Sequence, residues 1–164
     1  MDDAPEPTWW LDRFLAVARD LDTGRIYRTR GQFIPGYEGT FTEFVSATGR
    51  HSRENSLSAI DACNRTGSGA YLLETVPSVL AILERHAHDP EESIIRAVND
   101  TWDNDTIGAI VGAAVGALHG ARALPERWKA GLLGRTRDDD DGRLFALLDQ
   151  ARTAFGPPTV SQRG

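Results

Sequence analysis

Gly108, Gly112, Gly116 and Gly120 recur every four residues through Asp105 to Gly120, a run otherwise dominated by Ala, Ile and Val. A spacing of four returns to one face of a helix, so the glycines form a smooth ridge. Each costs about 1 kcal/mol relative to alanine inside a helix, so four together predict that another backbone packs closely there. The helix is therefore expected to be central and buried. Nowhere does the chain show an apolar and polar alternation long enough for a strand, which makes the expected class all-α.

The remaining helices follow from period and punctuation. Thr8 to Leu21 places Trp10, Leu11, Phe14, Leu15, Val17, Ala18 and Leu21 at helical spacing, with Thr8 available as the N-cap. Asp22 to Arg50 is broken by Gly24, Gly31, Pro35, Gly36, Gly39 and Gly49 and reads as a long loop with one short helix at Thr42 to Ala47. Its aromatic residues Tyr27, Phe33, Tyr37, Phe41 and Phe44 predict that this loop packs on something. A helix is expected over Ser52 to Asn64, then a small-residue turn, Thr66 to Gly69. Ala70 to His86 carries Pro77 in its middle and is expected as two short segments or a bent one. Asp89, Pro90, Glu91 and Glu92 start a helix that runs to about Asn99, and Leu124 to Leu133 and Gly142 to Phe155 supply two more. The whole chain, 1–164, is expected to be one domain, with a weakly patterned 1–66, a central 67–128 and a C-terminal 129–164.

Charge narrows the partners. With 18 basic against 24 acidic residues and a net charge of -6, the chain is repelled by phosphate backbones and anionic lipid, so neither nucleic acid nor membrane is an expected partner. Ile107 to Leu118 is too short to cross a bilayer, and Met1 to Pro5 lacks the basic start of a signal peptide. Cys63 is the single cysteine, which rules out an intrachain disulfide and suits a small core residue in a reducing cytoplasm.

Chemistry concentrates at Asp100, Thr101, Trp102, Asp103, Asn104, Asp105 and Thr106, where three carboxylates and two hydroxyls crowd the loop before the glycine-ridged helix. Oxygen ligands in that number suit a hard cation such as Mg²⁺, and two acids one residue apart can turn toward one ion while Thr106 adds an oxygen. Asp103 and Asp105 could equally be helix caps and dipole partners. The four histidines show no metal spacing, and the serines no nucleophile elbow. Trp9 and Trp10 fit either a core anchor at a helix end or an aromatic anchor for a partner.

Asn99 to Gly120, NDTWDNDTIGAIVGAAVGALHG, resembles the metal motif and following helix of the ADP-ribosylglycohydrolase family, which includes the dinitrogenase reductase activating glycohydrolases. Gly67 to Leu83, GSGAYLLETVPSVLAIL, and Pro90 to Val98, PEESIIRAV, look like the turn and helices that precede that motif, so the resemblance covers about Gly67 to Trp128. It implies an all-helical hydrolase that holds two Mg²⁺ ions and cleaves ADP-ribose from a protein or other acceptor. Asp103, Asp105 and Thr106 fall on the family's Asp-x-Asp-Thr metal ligands, and Gly67 and Ser68 on the lining of its ADP-ribose cleft.

Two departures accompany the resemblance. Thr101 and Trp102 stand where the family commonly has Gly-Gly, and the family's N-terminal acidic clusters have no counterpart here. The acids Asp138 to Asp141 lie on the wrong side of the motif and read as a solvated run. The chain thus looks like the C-terminal portion of the family: a truncated or split product, a non-catalytic binding or assembly module, or a shorter active form. A homo-oligomer or a separate N-terminal chain is the expected cover for the apolar face left open.

Overall fold

The computed structural model describes residues 6–29, 36–132 and 143–155. They group into two compact units, one ending at Leu124 and the other beginning at Pro125. The first holds α1 (Pro7–Leu21), α2 (Phe41–Glu54), α3 (Ala59–Thr66), α4 (Leu72–His86), α5 (Pro90–Asn99) and α6 (Asn104–His119), followed by a single 3-10 turn (Ala121–Ala123). Its one sheet is a pair of two-residue strands, β1 (Tyr27–Arg28) antiparallel to β2 (Glu38–Gly39). The second unit holds α7 (Glu126–Leu132) and α8 (Arg143–Phe155). The fold class is all-α.

The central helix is α4, which packs against α1, α2, α3, α5 and α6. From Leu73 to Glu84 only Glu74 and Val76 escape full burial. Such all-round contact explains why Pro77 does not divide the helix: packing by five neighbours outweighs the roughly 3 kcal/mol that an interior proline costs. Of the two expectations, two short segments or a bent helix, the first gives way to one continuous helix. Two clusters meet along it. Leu11, Leu15, Val45 and Leu80 form one, while Cys63, Val79, Ile82, Leu83, Ala97, Ile107, Val111 and Val115 form the other, and Trp10 packs on both. Burial pushes the Cys63 thiol up to about 11, in keeping with a core role.

The expectation that α6 is central and buried needs correction. Only Ile107, Val111 and Val115, one stripe, are buried. Its glycines meet side chains rather than another backbone: a Cβ on Gly108 would lie 3.2 Å from Val98 Cγ2 and one on Gly112 3.8 Å from Ile94 Cδ1, both on α5, while Gly116 faces open space. The ridge admits the branched side chains of α5.

Three boundaries also differ. Pro7 occupies the first turn of α1 and Glu6 its N-cap, so Thr8 lies inside the helix. The region read as a loop contains α2 over fourteen residues, started by a capping box in which Thr40 Oγ1 accepts from Glu43 N and Glu43 Oε2 accepts from Thr40 N at 3.0 Å. Gly49 is no breaker there: a Cβ would sit 2.5 Å from Leu11 Cδ2, so glycine is what lets α1 and α2 approach. The helix expected over Ser52 to Asn64 is split, because Ser56 adopts φ +49° and Ser58 caps α3 by accepting from Asp61 N at 3.2 Å.

The loop's aromatics do pack: Phe41 meets Phe14 at 5.9 Å between centroids and Phe44 meets Tyr37 at 5.1 Å. Phe33 lies outside the described residues. Asp22, at the end of α1, accepts from Thr42 Oγ1 at 2.7 Å and Thr42 N at 3.1 Å, which holds its carboxyl below the usual range and pins the start of α2. Glu84 is clasped by Arg53 at 2.5 Å and lies 4.0 Å from Arg85, whose guanidinium also reaches Leu57 O and Ser52 Oγ.

Candidate functional site

The turn between α3 and α4 is built to hold an unusual backbone. Gly67 ends α3 at φ +97° and Ser68 follows at φ +40°, a left-handed conformation uncommon for a residue with a Cβ. What holds it is a set of long-range bonds to the loop before α6. Ser68 O accepts from Asp103 N at 3.0 Å, and Ser68 Oγ accepts from Trp102 N at 3.2 Å. Ser68 is fully buried as a result. Beneath the turn, Thr66 Oγ1 lies 2.9 Å from Ser78 Oγ, and Thr75 Oγ1 donates to Gly69 O at 2.7 Å, so α4 fixes it from the other side. Ser68 is thereby brought against Asp103, although 34 residues separate it from Trp102.

Asp103 occupies the N-cap position of α6 but makes no capping hydrogen bond with its side chain. Its Oδ2 is buried without a hydrogen-bond partner among the described residues. Leaving a carboxylate oxygen in that state costs about 1–3 kcal/mol. Asp105 is exposed in the first turn, and its Oδ1 accepts from Thr106 N at 2.8 Å. That bond holds the Asp105 carboxyl below its usual range, and a hydrogen bond with the Asp103 side chain lowers it further. Thr106 is exposed beside them. Capping thus accounts for neither side chain of Asp103 nor the pairing of the two acids.

The carboxylate of Glu74, on α4, also lies over the turn. A Cβ on Gly69 would fall 2.4 Å from Glu74 Oε2 and one on Gly67 3.3 Å from its Cδ. The available signal was the pair of glycines, which leave room for that carboxylate. Thr101 and Trp102 shape the loop differently from two glycines: Thr101 Oγ1 donates to Ala97 O at 2.6 Å, closing the end of α5, and the Trp102 indole stands 83% exposed. Asp138 to Asp141 lie outside the described residues. His119 Nε2 sits 2.6 Å from Ala87 O and ties α6 to the end of α4.

A family model described as ADP-ribosylglycohydrolase matches residues 11–156. The chain belongs to the ADP-ribosylglycohydrolase family. The likeness therefore extends beyond 67–128, across α1 to α3 and into the C-terminal helices. Among curated proteins, an uncharacterized protein, YegU, of Escherichia coli strain K12 is 30% identical over 122 residues, covering 74% of this chain and 35% of the relative. An uncharacterized protein of Archaeoglobus fulgidus is 43% identical over 104 residues, 62% of this chain and 32% of the relative. The chain spans about a third of the length of these curated relatives. No solved structure matches it.

The family is generally metal-dependent, which sets a test for the corner at Asp103. The donors are of the right kind for a hard divalent cation: oxygen only, two carboxylates one residue apart, one with a buried oxygen lacking a partner. Among the described residues, however, no group of three or more His, Cys, Asp or Glu side chains is placed to hold an ion. The corner fits one side of a cation site. No described helix is long and apolar enough to cross a membrane.

Proposed function

We propose that this chain carries the half-site of an ADP-ribosylglycohydrolase-like hydrolase that uses Mg²⁺ to release ADP-ribose from a protein or other acceptor. The observation that carries this reading is Asp103: it stands at a helix N-cap without capping, with one oxygen buried and free. Asp103 and Asp105 would hold the ion by their carboxylates, with Thr106 as a third oxygen donor. A bound Mg²⁺ would supply charge to orient ribose hydroxyls and polarise the glycosidic centre.

The chain's own residues set the geometry around that point. Ser68 fixes the loop through two hydrogen bonds, so the carboxylates are positioned before any ligand arrives. Gly67 and Ser68 are the residues proposed to line the ADP-ribose cleft, with the Glu74 carboxylate in the space a Gly67 side chain would take. The positive end of the α6 dipole attracts the negative charge of Asp105 in the first turn. The reducing cytoplasm is the proposed location, supported by the single, buried Cys63.

That no three carboxylates of the corner, among the described residues, are placed to hold one ion favours a second reading in which the chain binds ADP-ribose without cleaving it. Isothermal titration with ADP-ribose, with and without Mg²⁺, tests the half-site under either reading. Metal-dependent binding is the expected result. A folded chain that binds in neither condition would sink both, and binding followed by release of ADP-ribose from a modified acceptor would select the hydrolase.

A further inference from the structure

An indole is the largest apolar surface a side chain offers, and folded chains ordinarily pack it or give it a partner. Trp10 packs on both core clusters, Trp9 meets it edge to face at 5.0 Å between centroids, and the Arg127 guanidinium lies 5.6 Å from the centre of the Trp128 ring. Trp102 differs from all three. It is 83% exposed, and its indole makes no ring or cation-π contact among the described residues.

That exposure does not come from a loose backbone. Trp102 N donates to Ser68 Oγ at 3.2 Å, and the next amide, Asp103 N, donates to Ser68 O at 3.0 Å. On the other side Thr101 Oγ1 donates to Ala97 O at 2.6 Å. With its main chain held at both neighbours, the indole has only its own side-chain torsions to lose when a ligand covers it, and large flat contacts of that kind bind with little loss of freedom.

The proposed cation site sets which part of a ligand the indole meets. A cation at Asp103 that orients ribose hydroxyls brings the anomeric carbon of that ribose beside the ion, while the diphosphate and the second ribose carry the adenine away. One peptide link separates Trp102 from Asp103, so the indole stands at the anomeric end. We infer that Trp102 determines specificity for the group released: its face stacks on a planar substituent at the anomeric carbon of ADP-ribose, a contact that an aliphatic substituent or a hydroxyl does not supply. The inference rests on the proposed cation site and adds to it the chemical class of the acceptor.

The full chain, with Mg²⁺ present, is titrated calorimetrically with NAD⁺, which carries a planar pyridinium ring at that carbon, and with ADP-ribose, which carries a hydroxyl there. The wild type is expected to bind NAD⁺ at least about threefold more tightly. Trp102→Ala is expected to bind both with the affinity that the wild type has for ADP-ribose, and Trp102→Phe to restore most of the preference. Mn²⁺ uptake by Trp102→Ala, read from the paramagnetic resonance of the free ion, is expected to match the wild type. Equal affinity of the wild type for the two nucleotides, or a preference that survives Trp102→Ala, overturns the inference and leaves the cation site standing. Loss of ADP-ribose or of Mn²⁺ in Trp102→Ala overturns it too, because the indole would then hold the part common to both ligands or shape the ion site. A wild type that binds neither nucleotide overturns the inference together with the proposed function.

Discussion

Glu84 and Asp103 each bury a carboxylate within the first unit, and they are treated in opposite ways. Glu84, 8% exposed in the last turn of α4, is clasped by Arg53 and flanked by Arg85, which is itself anchored to Leu57 O, Ser52 Oγ and Ala81 O. Asp103 sits at the start of α6 with its backbone anchored and its Oδ2 free. An acid kept for folding has its charge met inside the chain. One whose backbone is held while a carboxylate oxygen is left unmet is what the proposed cation site calls for, at a cost in stability.

The sharpest way to break that contrast is to remove the partnered acid. Glu84→Ala strands the Arg53 guanidinium beside the core, and because Arg53 is one-third exposed the loss falls below that of a fully buried pair. Chemical denaturation is expected to show a loss of about 2–3 kcal/mol. A change under 0.5 kcal/mol would remove Glu84 from the folding side of the comparison.

Cys63 is a second group kept for the fold, and it responds to pH. Its folded thiol holds the proton to about pH 11, whereas the unfolded thiol releases it near 9. Its contribution is therefore complete below pH 9 and lost as pH rises from 9 to about 11, on the order of 2 kcal/mol by the upper limit. Cys63→Ala is expected to lose that slope, and equal slopes in the two proteins would exclude the thiol as its source.

Ser68→Ala sharpens the contrast at the corner itself. It removes the acceptor for Trp102 N but keeps the carbonyl that binds Asp103 N, so a loss of about 1 kcal/mol in stability is expected. Hydrogen exchange at Trp102 is expected to speed up while Asp103 remains protected. Faster exchange at both would show that the hydroxyl, not the carbonyl, organises the loop.

How much of this could be read from sequence depended on where the cause lay. Helices α5 and α6 were legible because their signals are local: Asp89 caps, Pro90 opens, and the glycines keep a spacing of four. Helix α2 was not, because Gly49 works through contact with Leu11, which looks in sequence like a break. For the same reason α4 rather than α6 proved central. At the site, Asp103, Asp105 and Thr106 were legible as a cluster, and Gly67 and Ser68 as a nearby turn. The two bonds from Ser68 that join turn to cluster span the chain and leave no local trace.

The most direct measurement compares wild type with Asp103→Asn, which keeps the size of the side chain, removes its charge and, by relieving the unmet Oδ2, is expected to leave the chain at least as stable. Mn²⁺ can report on an oxygen site suited to Mg²⁺, and its paramagnetic resonance signal falls when it binds. Titrated into Mn²⁺, the wild type is expected to deplete the free-ion signal and Asp103→Asn, equally folded, to leave it nearly intact. A folded wild type that leaves the signal at full height, or a variant that depletes it equally, would mean that the free oxygen of Asp103 is not kept for a cation.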